Sequence, residues 1–217
     1  MHRNQLLFVS VLALGMGPSC ADKMTAPPDP EILEPPSAPV ARSARGNLRF
    51  KGPERINQDF AAALELRPDA VCLELGQYSC TGLVHNVALG GVDPYGPGLY
   101  ESSGVTASTT PLAVERVAWA ACTQRVDTDL AAPATAVIFR GVPLAGKKLA
   151  SPDGPEVRGV IGLLTQRALL RNPYRNEVER YVRLATDIES TGHAEPARAF
   201  MQAVCFAILT STESVFY

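Results

Sequence analysis

Residues 175–190, RNEVERYVRLATDIES, place Val178, Tyr181, Val182, Ala185 and Ile188 at the spacing of one helical stripe, and Gly192 follows as a stop. An amphipathic stripe of this kind has to be covered, and the flanking segments supply the cover. Residues 156–170 read as a helix that Asn172-Pro173 breaks. Residues 195–209 read as a third, turning Phe200, Ala203, Val204, Ala207 and Ile208 inward. Three such helices joined by short breaks pack as a bundle, because each alone leaves its apolar face wet. The chain is therefore expected to be mainly α, with residues 151–217 as a C-terminal three-helix region.

Upstream, residues 46–150 read as a further helical region with one long loop, joining 151–217 in one compact domain. Ile56, Phe60 and Leu64 recur at helical spacing in 53–66, and Pro68 ends that helix. Residues 69–75 suggest a short helical turn before Gly76. A helix over 81–89 turns Leu83, Val84 and Val87 inward until Gly90-Gly91 stops it. Residues 92–109, VDPYGPGLYESSGVTAST, are rich in Gly, Pro, Ser and Thr, and a connection this long is often a binding element. Thr110-Pro111, a capping hydroxyl and an N1 proline, opens a helix over 111–126. Val114, Val117, Ala118, Ala121 and Cys122 share its inner face, while Arg116 and Trp119 look outward. Residues 135–139 are apolar and β-branched, and periodicity leaves strand or helical turn open; 141–155 read as loop.

The chain begins with Arg3, an apolar run over 6–16 and small residues up to Cys20, the order of a secretory signal spanning 1–19. The run is shorter than the roughly 20 apolar residues that cross a bilayer. Gly17-Pro18-Ser19-Cys20 resembles the bacterial lipobox, in which the Cys is acylated and becomes the mature N-terminus. Gly17 stands where that family has a Leu-like residue. The resemblance implies lipidation at Cys20 and a protein held in the bacterial cell envelope, facing the periplasm or the cell surface. Residues 20–45 contain Pro27, Pro28, Pro30, Pro35, Pro36 and Pro39 and almost no large apolar residue, so they read as a disordered stalk. At about 3.1 Å per residue that stalk reaches up to roughly 80 Å from the membrane. A Pro-rich stretch is also a possible ligand for an aromatic groove.

Five cysteines are present. With Cys20 acylated, Cys72, Cys80, Cys122 and Cys205 remain, an even set that reads as two disulfides in an exported chain. Cys72 and Cys80 flank Gly76 closely and are the favoured pair; Cys122 with Cys205 then ties the middle of the chain to its last long helix. A metal site built from these cysteines and His85 lacks CxxC or HxxxH spacing, so no metal is expected. No CxxCH occurs to attach a haem, and no cofactor is expected.

The 217 residues hold 20 Lys and Arg against 22 Asp and Glu, a net charge of −2. A nucleic-acid partner calls for a basic face, and this balance offers none. His85, near Glu74 and Asp93 in sequence, is the first residue to test as a general base, though a lone His on an amphipathic segment is more often a boundary residue. Asp127-Thr128-Asp129 lacks EF-hand spacing and reads as helix-end and loop carboxylates that need no metal. Ser102, Ser103 and Ser108 have no GxSxG elbow, and the Gly pairs lack the strand-to-helix setting of a phosphate loop. Tyr95, Tyr100, Trp119 and His85 are the candidates for a binding surface beside the long loop, with Tyr78 as a further aromatic.

Residues 167–185, RALLRNPYRNEVERYVRLA, and 200–217, FMQAVCFAILTSTESVFY, resemble the helical domain that accompanies haem c modules in large exported proteins of planctomycetes and myxobacteria. That family reads approximately RRPLTxxEV and, at its end, LxSPEFLYR. Arg171, Pro173, Glu177 and Val178 match the first motif, one residue shorter. Leu209, Ser211 and Glu213 match the second, with Thr212 in place of Pro and the aromatic pair at Phe216-Tyr217. The resemblance implies a helical exported module without an activity to carry over. The expected function is a non-enzymatic envelope lipoprotein presenting a helical surface to another envelope protein. The alternatives are an accessory subunit docking an exported redox or hydrolytic partner, and a stand-alone enzyme using His85 and the 92–109 loop.

Overall fold

The computed structural model describes residues 48–96, 100–101, 106–140, 142, 149 and 151–217. The expected signal over 1–19, the acylation site Cys20, the 20–45 stalk, and Ser102 and Ser103 lie outside the described residues. Mainly helical structure braced by two disulfides is what the sequence led one to expect, and it is what is found.

Helix α1 (Gly52–Leu64) starts on Pro53 with Glu54 in its first turn, and it buries Ile56, Phe60 and Leu64. It stops where Glu65 turns left-handed at φ 49°, a conformation with a steric cost outside glycine. Partners on other helices hold that end. Arg167 donates to the carbonyls of Ala63 at 2.6 Å and Ala62 at 3.0 Å and pairs with the Glu65 carboxylate at 2.7 Å. The last carbonyls of a helix have no intrahelical donor, so this guanidinium caps α1 from a distance.

A 3-10 turn at Pro68–Ala70 leads into a small hairpin, β1 (Leu73–Glu74) against β2 (Tyr78–Ser79), with Leu73 opposite Ser79 and Glu74 opposite Tyr78. The expected helical turn over 69–75 is corrected here: only its first residues coil. Leu75 and Gly76 both take positive φ at the tip, and the Cys72–Cys80 disulfide locks the two arms. The helix expected over 81–89 is also corrected. Only one π-turn forms, Cys80–Val84, closed by the His85 amide donating to the Cys80 carbonyl at 2.7 Å. Cys80, Thr81 and Leu89 are the buried residues, and Leu83, Val84 and Val87 face solvent instead. The tethered Cys80 decides which side faces inward, and the apolar spacing of the next residues is overruled.

Helix α2 (Thr110–Ala131) runs past the expected end at 126 and buries Val114, Val117, Ala118, Ala121 and Cys122 as expected. Thr110 does not cap it. Its hydroxyl donates to the Ala88 carbonyl at 2.7 Å and accepts from the Ala107 amide at 2.8 Å, so it fastens two loops to the helix start. Beyond α2, residues 135–139 form no strand. A 3-10 turn at Pro133–Thr135 is followed by a bent segment that buries Ala136, Ile138 and Phe139. Its amides find a side chain where a strand would supply carbonyls: Asp129 accepts from Val137 at 3.1 Å, Ile138 at 3.1 Å and Phe139 at 3.0 Å. Arg125, one turn earlier on the same buried face, pairs with the same carboxylate.

Among the described residues four further helices follow: α3 (Pro155–Leu169), α4 (Arg175–Ser190), α5 (Pro196–Leu209) and the short α6 (Thr212–Val215), which the sequence does not signal. Helix α5 is central. It carries one charge, Arg198, and packs against α2, α3, α4 and α6. Phe200, Val204 and Ile208 are buried, whereas Ala203 and Ala207 are only half-buried. On α4 the expected stripe packs on the core, but only Ala185 is fully buried. Because α1 packs against α3 and α2 against α5, the regions 46–150 and 151–217 interleave within one unit, Gly46–Tyr217.

The ends of that unit meet. The Lys51 amide donates to the Val215 carbonyl at 3.1 Å, the Tyr217 amide to the Arg49 carbonyl at 2.9 Å, and the rings of Phe50 and Phe216 cross edge to face at 5.7 Å. Arg171 closes the same region with two bidentate pairs. It binds Glu177 at 2.7 and 2.8 Å and Glu213 at 2.7 Å twice, joining the start of α4 to α6.

Candidate functional site

The hairpin brings Glu74 to the outer face of α2. Its carboxylate receives both arms of Arg116, Nε to Oε1 at 2.7 Å and Nη2 to Oε2 at 3.0 Å, and His85 Nε2 stands 3.3 Å from Oε1. Three residues from three separate segments thus form one cluster. Its position follows from local folding: the disulfide fixes β1, the π-turn presents His85, and the helical period turns Arg116 away from the buried stripe. The Arg116 guanidinium, with a smaller contribution from His85, holds the Glu74 carboxyl down to about 2.

That depression has a thermodynamic consequence. A carboxyl whose folded pKa lies below its unfolded value contributes stability at pH above about 4.5, and the contribution is lost as pH falls toward 2. Glu177 and Glu213 are held low by Arg171 in the same sense. Thermal melts recorded from pH 6 downward are expected to show the midpoint falling across this acid window. Glu74→Gln should flatten part of the fall; an unchanged profile would show that the pairing does not differ between folded and unfolded chains.

Exposed apolar residues neighbour the cluster's members along the chain. Leu73 and Leu75 flank Glu74, Val84 precedes His85, and Leu112 and Trp119 lie one turn either side of Arg116, all exposed. Trp119 rests edge-on against Phe206 of α5, with ring centres 5.9 Å apart, and is 44% exposed. Beside it runs an open groove of about 720 Å³ between α2 and the chain at Val71, Cys72 and Leu73. A second, more polar groove of about 970 Å³ separates the start of α1 from residues 79–92.

The expected binding surface is only partly brought together. His85 and Trp119 are joined through Glu74 and Arg116. Tyr95 (98% exposed) and Tyr100 (76%) make no hydrogen bond or ring contact with either among the described residues. Among the described residues no hydrogen bond ties the long loop to His85, and Asp93 folds its first residues locally, accepting from the amides of Tyr95 and Gly96. Among the described residues no hydroxyl or thiol hydrogen-bonds to His85. Its carboxylate partner, already neutralised by Arg116, is a poor proton acceptor. The geometry therefore provides an ion-paired cluster to which, among the described residues, no hydroxyl or thiol is hydrogen-bonded. Asp127 pairs with Arg198 on the surface, and Asp129 is consumed by three amides and Arg125.

In the sequence His85 and Glu74 are near neighbours, and Arg116 stands only as an outward residue of its helix. Glu74 to Arg116 spans 42 residues, and no local spacing signals such a pair. No known family model, characterised protein or solved structure matches the chain.

Proposed function

We propose that this chain is an envelope lipoprotein of a bacterium, acylated at Cys20, that presents the Glu74–Arg116–His85 surface to another envelope protein without catalysing a reaction. The observation that supports this most is Leu75. It is 86% exposed and sits at φ 51°, where a branched apolar side chain is strained and Asn or Gly is easily accommodated. Leu170 combines the same two features at the end of α3, 88% exposed at φ 56°; at the hairpin, next to Glu74, a contact surface explains an isobutyl group that the isolated domain does not need. Exposed Trp119 and Arg116, one turn apart on α2, are residue types enriched at interface centres.

A photo-crosslinking side chain at Trp119 in growing cells tests the surface. A discrete adduct that disappears with Leu75→Glu is expected; an unchanged adduct pattern would remove this face from consideration. Membrane fractionation tests the anchor: Cys20→Ala should release the protein and abolish incorporation of labelled palmitate, and unaltered membrane association would overturn the lipoprotein reading. The second reading, an accessory to an exported redox or hydrolytic partner, draws on the haem-associated resemblance, whose matched residues Arg171, Glu177 and Glu213 meet in one ionic cluster. Identification of the adduct as an electron carrier or hydrolase would favour it.

A further inference from the structure

The two disulfides are unlike in setting. Cys122–Cys205 is sealed between α2 and α5 and separated by 83 residues in sequence, whereas Cys72 and Cys80 are separated by only 8. Cys72 is 7% exposed and lines the groove beside Trp119. Thiol–disulfide exchange requires access for the attacking thiolate, which the groove offers at Cys72 and the core denies at Cys122 and Cys205. Access makes the hairpin bridge the one a dithiol opens first.

What surrounds that bridge is a donor set. A Glu74 carboxylate oxygen and the two sulfurs lie within 4.8 Å of one another; His85 stands outside that set but adjoins the same carboxylate at 3.3 Å, so it reaches an ion there by a side-chain movement. We propose that the hairpin is a redox-gated metal site, in which Cys72 and Cys80, once reduced by a thioredoxin-class dithiol, hold a zinc-class divalent ion together with Glu74 and His85. The reductant's two thiols become a disulfide as the Cys72–Cys80 bond takes up two electrons and two protons; the ion then displaces the two thiol protons. Two sulfurs, an imidazole and a carboxylate form a ligand set of borderline softness, suited to zinc and unsuited to magnesium or calcium.

Charge supports the assignment. Two thiolates balance a divalent cation, and Arg116 balances Glu74, so the loaded site is neutral where Cys80 is fully buried. Arg116 also orients the carboxylate, the part that outer hydrogen-bond partners play around metal-bound carboxylates. The 5.4 Å Cα separation of the two cysteines lets both sulfurs converge on one ion. The inference is independent of the anchor and of the partner.

Cobalt(II), a spectroscopic substitute for zinc, tests it on the full chain carrying Cys20→Ser. After limited treatment with dithiothreitol, alkylation mapping should find Cys72 and Cys80 free and Cys122 and Cys205 still joined. Cobalt should then bind one per chain, with a thiolate charge-transfer band and the intense visible bands of tetrahedral coordination, and zinc should displace it. The oxidised chain should bind none. Cys72→Ser should abolish the spectrum, and His85→Ala should shift the visible bands and weaken binding by about tenfold or more. Circular dichroism of each sample reports whether the helices persist. Free hairpin thiols without a cobalt spectrum would overturn the proposal. So would simultaneous opening of both disulfides, or an unaltered spectrum in both His85→Ala and Glu74→Gln.

Discussion

Asp129→Ala is expected to cost about 3–5 kcal/mol of folding stability, the range for removing one partner of a buried ion pair. Asp129 is fully buried and Arg125 nearly so, and the carboxylate also serves the amides of Val137, Ile138 and Phe139. Its loss leaves a buried guanidinium without its counter-charge and three peptide N–H groups without acceptors. Ile138 and Phe139, both in the core, lose the anchor that turns them inward. A domain of this size has roughly 5–15 kcal/mol in total, so the variant should lie near the edge of folding. Urea denaturation gives the comparison: a large fall in midpoint for Asp129→Ala, and a change of about 0–1 kcal/mol for Asp127→Ala, which breaks only the half-exposed pair with Arg198. Equal effects at the two aspartates would refute the role given to Asp129.

The contrast between those aspartates also shows where a sequence stops being informative. Helical stripes were legible because burial repeats along the chain: Ile56, Phe60 and Leu64 in α1, and Val114, Val117, Ala121 and Cys122 in α2, are buried as their spacing requires. Arg125 and Asp129 continue the α2 stripe three and seven residues beyond Cys122, so a signal was present. A charged pair on an apolar face is a warning of burial, which a reading of Asp127-Thr128-Asp129 as helix-end and loop carboxylates does not take up. Residues 81–89 failed for another reason. Their apolar spacing suits a helix, but the constraint on Cys80 and the turn at Gly76 come from a covalent bond and a left-handed tip, and neither appears as periodicity. The Glu74–Arg116–His85 cluster was less legible still, because its members meet only after the hairpin has folded onto α2. Long-range ionic caps such as Arg167 on α1 belong to the same class: their geometry is set by packing.

The disulfides allow a second, quantitative expectation. In the chain-entropy account a crosslink acts by shrinking the unfolded ensemble, and its contribution rises with the logarithm of the loop it closes. For a separation of 83 residues, replacing both Cys122 and Cys205 by Ala should cost about 4–5 kcal/mol. For a separation of 8, replacing Cys72 and Cys80 should cost about 2–3 kcal/mol. Position reinforces the ranking. The long bridge joins α2 to α5, the helix that four others pack against, so its removal also thins the core at that contact. The short bridge ties a surface hairpin whose loss leaves the six helices in place. Guanidinium denaturation of the two double variants should therefore separate them by about 2 kcal/mol. The slope should steepen more in the Cys122–Cys205 variant, because its unfolded chain expands further. Equal losses, or a larger loss from the hairpin, would mean that the hairpin bridge supports the folded state itself, and Cys72–Cys80 could then not open while the domain stays folded.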